Sequence, residues 1–216
     1  MPTIIRHSMR SIAAAAAISI LAMSHTAIAA TIVDEWASVA VPPPPALKPV
    51  TLDSKTTALL MLDFNSQTCN ATRRPRCIAS LPNVAKLLAA ARAANVPVFY
   101  SLGGGGAVTD IAKEVAPIKG EPAVSSGVDK FRGTNLEQML KDRGIKTVVV
   151  AGTAAHGAVL YTASGAAMRG MKVIVPVDAM SGDNAYTEQY TAWHLANAPL
   201  VGAAVTLSTI SKVKFQ

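Results

Sequence analysis

From Thr56 onward the chain alternates between two hydrophobic periods. Thr57-Ala58-Leu59-Leu60-Met61-Leu62 is an unbroken apolar run of strand length, the pattern of a strand buried on both faces. Pro82 to Asn95 predicts a helix, with proline in its first turn and Val84, Leu87, Leu88 and Ala91 at helical spacing. Asn95-Val96-Pro97 ends it, and Val98-Phe99-Tyr100-Ser101 is the next strand. Asn135 to Arg143 is a short amphipathic helix closed by Gly144. The strand Thr147-Val148-Val149-Val150-Ala151 follows, then an Ala-rich helix around Ala158 that stops at Gly170. Lys172 to Val177 is a strand, Ala185 to Ala198 the last long helix, and Val205-Thr206-Leu207 closes the sheet. This order predicts an α/β fold: a three-layer, Rossmann-like arrangement with a central, mostly parallel sheet covered on both faces.

The first thirty residues read differently. Arg6 and Arg10 precede an apolar, alanine-rich stretch from Ser11 to Met23, and Ala27-Ile28-Ala29 matches a small-x-small cleavage site. Residues 1–29 are therefore expected to be a signal peptide, with the mature start near Ala30 and a secreted or periplasmic destination. The alternative is a retained anchor, although the stretch is short for a membrane span. Four prolines, Pro42 to Pro45, make 30–55 a stiff arm, either a spacer or an element packing on a neighbouring subunit. The α/β domain is then 56–216.

Composition narrows the partners. Removing the two leader arginines leaves 18 basic residues against 13 acidic, a net of +5. The excess is not gathered into runs and few aromatics accompany it, so nucleic acid is a poor fit and a small anionic ligand a compatible one. The two cysteines, Cys69 and Cys77, have seven residues between them. In an exported chain they read most simply as a disulfide, worth about 2.5 kcal/mol on a chain-entropy account. A metal pair or a reactive thiol are the rivals. With His156 and His194 far apart and no ligand cluster, no metal and no cofactor are expected.

In such sheets ligands bind beyond the carboxyl ends of the strands. Asp63 stands directly behind the first strand. A carboxylate there is partly desolvated and suited to general acid or base work, or else it caps the turn Asp63-Phe64-Asn65-Ser66. Asn65 is set beside it as a substrate contact. Gly103 to Gly106 reads as a mobile loop rather than a phosphate cradle, because it lacks the spacing and the helix of a dinucleotide fingerprint. Gly152 through Ala163 places a tight turn and a helix start behind the Val148 strand, presenting backbone N–H groups to a ligand. His156 in that turn either contacts a ligand or caps the loop. Lys130 either stabilises an anion or pairs with Asp129 at the surface. Arg73, Arg74 and Arg76 either gather an anionic substrate or belong to a solvated loop.

These residues resemble the isochorismatase-like hydrolase superfamily, which includes nicotinamidases and other cysteine hydrolases. The resemblance rests on the run ending at Asp63, on Phe131-Arg132-Gly133-Thr134-Asn135-Leu136, on Gly152 through Ala163 and on Val177-Asp178-Ala179. It spans Thr56 to Leu207. It implies a six-stranded parallel sheet, a homo-oligomer, and an Asp–Lys–Cys set with an oxyanion hole beside a cis peptide. Carried over, the aspartate falls on Asp63, the cis bond on Ala154-Ala155 and the oxyanion N–H groups on Ala155 and Ala158. The cysteine position falls on Ala158 and the lysine position on Ser125, with Lys130 nearby but out of register. Both positions are thus vacated. The branch that lacks the cysteine and carries Ala-His at the turn hydrolyses a vinyl ether without a covalent intermediate. The expectation is a hydrolase of small molecules working through Asp63, with His156, Asn65, Lys130, Ala155 and Ala158 facing the substrate. The rivals are a degenerate member that binds a ligand or partner without turnover, and a mainly structural secreted protein.

Overall fold

The computed structural model describes residues 30–216; the signal-peptide expectation lies outside them. The described residues divide between Val41 and Pro42 into two units. The described part of the first contains one helical turn, α1 (Ile32–Glu35).

The second unit is a layered α/β body. Its elements run β1 (Val50–Leu52), β2 (Thr57–Leu62), α2 (Pro75–Ala93), β3 (Val98–Leu102), β4 (Ala123–Ser125), α3 (Leu136–Asp142), β5 (Thr147–Thr153), α4 (Leu160–Met168), β6 (Lys172–Pro176), β7 (Met180–Ser181), α5 (Ala185–Asn197), α6 (Val201–Ala204), β8 (Val205–Ser208) and β9 (Val213–Phe215). The main sheet has the order β4-β3-β2-β5-β6-β8, with β7 added to β5, and every strand pair in it is parallel. The expected six strands are that path; β7 makes seven. β1 and β9 form a separate parallel pair.

Strand alternation sorts the core into two layers. Ala58, Leu60 and Leu62 of β2 face α3, α4, α5 and α6 with Val148, Val150, Val173 and Val175. Leu59 and Met61 face α2, against Val84, Leu87, Leu88 and Ala91. All six β2 residues are buried, as its unbroken apolar run requires. Three helices end where the sequence says they do. The residues Asn95, Gly144 and Gly170 take positive φ, and the next N–H in each case (Val96, Ile145, Met171) bonds back to Ala91, Leu140 or Ala166, the Schellman closure.

Two expectations are corrected here. Pro82 lies inside α2, and the proline of the first turn is Pro75. The helix tolerates Pro82 because it is exposed, as is Ile78, so the carbonyl left without a partner lies on the solvent face. The arm expected over 30–55 contains β1, and from Leu47 it lies on its own chain: Lys48 N–H donates to Leu207 O at 2.9 Å and Ser208 Oγ to Lys48 O at 2.8 Å.

β2 and β5 are pressed together at their carboxyl ends. A Cβ on Gly152 would stand 2.5 Å from both Leu62 Cβ and Leu62 O. Gly152→Ala is expected to destabilise the fold by about 1–3 kcal/mol, read as a lower urea midpoint at unchanged slope. An unchanged midpoint would show that the strands part at no cost.

Candidate functional site

Leu62, the last residue of β2, pairs with Ser101 of β3 on one side and Gly152 of β5 on the other. Asp63 follows it with φ 58°, in the left-handed region that aspartate visits more readily than most residues. That turn drops the carboxylate between the two neighbouring strand ends, where it is 5% exposed. Ser101 Oγ donates to Oδ1 at 2.6 Å, and Lys130 Nζ to Oδ2 at 2.7 Å. The sequence gives no hint of Ser101 beyond its being the polar residue in an otherwise apolar β3.

Lys130 corrects the register expectation. Counting back from Phe131 puts the lysine position on Ser125, but Ser125 ends β4 with its side chain exposed. Residues 127–135 are consecutive bends and turns rather than strand, so distance along the chain does not measure distance in space. Lys130 is fully buried at 0% exposure. Nor does it pair with Asp129, whose Oδ1 accepts Phe131 N–H at 3.0 Å. Its ammonium also donates to Gly127 O at 2.7 Å and Ser126 O at 3.3 Å. Three protons thus meet three acceptors, and none is left for a ligand. The Phe-x-x-Thr-x-Leu stretch anchors this loop: Thr134 Oγ1 donates to Lys130 O at 2.6 Å, and Phe131 and Leu136 are buried. Lys130 N–H reaches Thr162 Oγ1 on α4 at 3.2 Å, which ties the loop to the helix behind the Ala-His turn.

The glycine loop after β3 is fastened, contrary to the mobile loop expected. Gly103 lies so close that a Cβ there would stand 2.6 Å from Asp63 Oδ2. Asn65, expected as a substrate contact, is 0% exposed and turned into this loop. Its Nδ2 donates to Gly103 O at 2.9 Å and Gln67 Oε1 at 2.6 Å, while Oδ1 accepts Gly103 N–H at 3.2 Å. One amide proton is spent on the loop and the other on the Gln67 side chain. Asp110 closes it by accepting from Ala107 N–H at 2.7 Å and Gln67 Nε2 at 3.0 Å. Those two bonds, the backbone one first, hold the Asp110 carboxyl below its ordinary value of 3.8.

Behind β5 the cis peptide is Thr153-Ala154, one residue earlier than the Ala154-Ala155 expected. β5 runs on to Thr153, held by β7 through Thr153↔Ser181, so the reversal begins directly at the strand end. One π-helical turn, Ala155–Val159, then leads into α4. Ala154 O accepts from Gly157 and Val159 N–H. Among the described residues, the N–H groups of Ala155 and Ala158 have no partner outside the turn. Ala155 and Ala158 are buried. His156 Nε2 lies 3.7 Å from Asp183 Oδ2, and its Nδ1 is buried without a partner. The arginines divide: Arg74 is buried on Asp183, Arg76 pairs with Glu188, and Arg73 is exposed.

Cys69 and Cys77 form a disulfide with Cα atoms 5.5 Å apart. The sequence holds two cysteines, so no thiol is free. Among the described residues no group of three or more His, Cys, Asp or Glu is placed to hold a metal, and no helix is long and apolar enough to cross a membrane.

Residues 57–209 match the family model of the isochorismatase domain. The secreted isochorismatase effector Isc1 of Verticillium dahliae is 31% identical over 144 residues, covering 61% of this chain and 76% of that protein. An N-carbamoylsarcosine amidase of an Arthrobacter species is 30% identical over 124 residues, but that match spans only 44% of this chain and 47% of the amidase. A cysteine hydrolase from Pseudomonas syringae pv. phaseolicola superposes with a TM-score of 0.65 at 21% identity, over 78% of this chain and 95% of that one. The MAR1 ribonuclease of Caenorhabditis elegans gives 0.64 at 19% identity, over 75% and 81%. These structural matches establish the fold.

Two measurements test the geometry. Lys130→Met leaves Asp63 buried without its counter-charge and is expected to cost about 3–5 kcal/mol in urea unfolding. Combining it with Asp63→Leu removes both charges and should recover part of that loss; a strictly additive double variant would mean the two side chains do not interact. Acid should release the glycine loop late. Because Asp110 is lowered on folding, its contribution is complete above the unfolded value and fades as pH falls through the folded one. The Ala107 amide resonance should therefore hold steady above about pH 5 and move only below about pH 4.

Proposed function

This chain belongs to the isochorismatase domain family, and from that premise we propose that it is a hydrolase of small molecules that works without a thiol, with Asp63 as its acid/base. The observation that carries this reading is the buried Asp63–Lys130 pair at the strand end, beside a turn whose Ala155 and Ala158 N–H groups have no partner outside it among the described residues. Each oxygen of Asp63 already accepts one hydrogen bond and keeps room for another. Asp63 would take a proton from a water that attacks the polarised centre of the substrate and then pass it to the leaving group. Lys130 holds the charge and orientation of Asp63 rather than touching the ligand. The N–H groups of Ala155 and Ala158 are the donors available to a developing oxyanion. With alanine at 158 the water must attack directly, and no acyl-enzyme forms.

The chain is also proposed to be exported. A disulfide in a chain with two cysteines, and a relative described as secreted, support that destination.

One observation favours a second reading, a binder without turnover: the carboxylate and the ammonium satisfy each other and their neighbours with no ligand present. A panel of vinyl ethers, amides and esters separates the two, assayed for product and for ligand-induced thermal shifts. On any substrate turned over, Asp63→Asn is expected to lower kcat/KM by about 10²–10⁴-fold, with the folded fraction checked by circular dichroism. Turnover that survives the substitution in folded protein removes Asp63 from the mechanism. Thermal shifts with no product anywhere in the panel favour the binder.

A further inference from the structure

The disulfide ring Cys69–Cys77 includes a buried arginine whose two acceptors lead to the two halves of the candidate site. Arg74 Nε donates to Asp183 Oδ1 at 2.7 Å and Nη1 to Thr68 O at 3.0 Å. Thr68 leads one way: its single hydroxyl proton is shared between Asp63 O and Asn65 O, the latter at 2.9 Å. Asp183 leads the other way, its second oxygen lying 3.7 Å from His156 Nε2. That is too long for a hydrogen bond but within ion-pair range. Arg76, in the same ring, reaches the same stretch of chain by a different route. It is bidentate to Glu188, and Glu188 Oε1 accepts Gly182 N–H at 2.9 Å.

The guanidinium can serve two acceptors at once because its N–H groups form a rigid planar fork, which a lysine lacks. Asp183 is its counter-charge, and Arg74 is in turn what balances Asp183 beside His156. The other face of the imidazole offers nothing, since Nδ1 is buried and unpartnered. Among the described residues, Asp183 is the charged group within ion-pair range of His156, and Arg74 acts through it.

We propose that Arg74 is a positioning residue for His156, and that the Cys69–Cys77 bond makes this hold dependent on redox state. The ring pre-orders residues 69–77, so the arginine reaches Asp183 from a segment with few alternative conformations. A dithiol reductant undoes this in a two-electron step. The S–S bond breaks, two thiols form, and the reagent supplies the electrons and protons as it closes to its own cyclic disulfide. The Cys69–Arg74 turn at the start of α2 is then held by its backbone hydrogen bonds alone, and Arg74 releases Asp183. The proposal concerns charge and placement, not turnover, so its failure is separable from that of the hydrolase reading.

Nitrogen-15 NMR of histidine-labelled protein tests it, with the His156 signals assigned by loss in His156→Gln. Read at one fixed pH, the His156 side-chain nitrogen resonances should move in Arg74→Gln and in Asp183→Asn, because each variant breaks the Arg74–Asp183 contact that places a charge beside the ring. Arg74→Lys should not restore the wild-type positions, and Arg76→Gln should leave them in place. Unmoved resonances in Arg74→Gln and Asp183→Asn overturn the positioning role, as does an equal shift in Arg76→Gln. Wild-type protein opened with dithiothreitol, its two thiols confirmed by titration, should shift as Arg74→Gln does while keeping a native amide spectrum. If the reduced protein stays folded with His156 unmoved, or unfolds outright, the redox half is wrong; in the second case the bond is a global staple.

Discussion

A lysine ammonium shut away from water needs an acceptor for each of its protons, and the candidate site is arranged around that requirement. Lys130 finds Asp63, Gly127 O and Ser126 O. Each of those acceptors is where it is for a reason that reaches further into the fold. Asp63 is delivered by the end of β2 and turned inward by a positive φ. Its approach is open because position 103 carries no side chain. The two carbonyls belong to a loop whose shape depends on Thr134 and Thr162. Burying two charges costs several kcal/mol per ion before their attraction is counted, and the cost is met only when every remaining hydrogen-bonding site is filled. Here the ammonium's sites are filled by Asp63 and main chain, and Ser101 and Lys130 each serve one carboxylate oxygen, which leaves each oxygen room for one further donor.

The frame of the molecule was legible in the sequence and the site only by half. Unbroken apolar runs identify β2, β3, β5 and β6 because a parallel sheet covered on both faces has no polar face to show. Asn95, Gly144 and Gly170 mark helix ends because a left-handed closing residue restricts which side chains fit. β1, β4, β7 and β9 were missed for the opposite reason: two or three residues are too few to express a period. Asp63 was found because strand-end position is a sequence property in this architecture. Lys130 was expected to face the substrate and was judged out of register with the family lysine, since the 127–135 segment is irregular and a residue count does not convert into a direction. Asn65, Ser101 and Arg74 owe their roles to contacts across 38, 38 and 109 residues, which no local pattern encodes.

The cis bond shows the same limit at finer scale. The family resemblance placed it at Ala154-Ala155. β7, a two-residue strand invisible in the sequence, extends β5 to Thr153 and puts the reversal at Thr153-Ala154 instead. A tertiary contact of two residues is thus enough to decide where a turn begins.

The buried pair also bears on why the site persists without sulfur. If the fold alone were at stake, hydrocarbon of similar volume in place of Asp63 and Lys130 would hold it as well or better. Such a replacement would also free Gly103 to carry a side chain, Ser101 to be apolar, and position 63 to relax from its left-handed backbone. The chain keeps all of these together, although Ala158 offers no thiol for a base to activate. A charge maintained under those constraints at a strand end, next to a turn whose Ala155 and Ala158 N–H groups have no partner outside it among the described residues, argues for the acid/base role proposed for Asp63. A carboxylate lacking a thiol to deprotonate has two things it can still act on: a water, or a proton on the ligand itself.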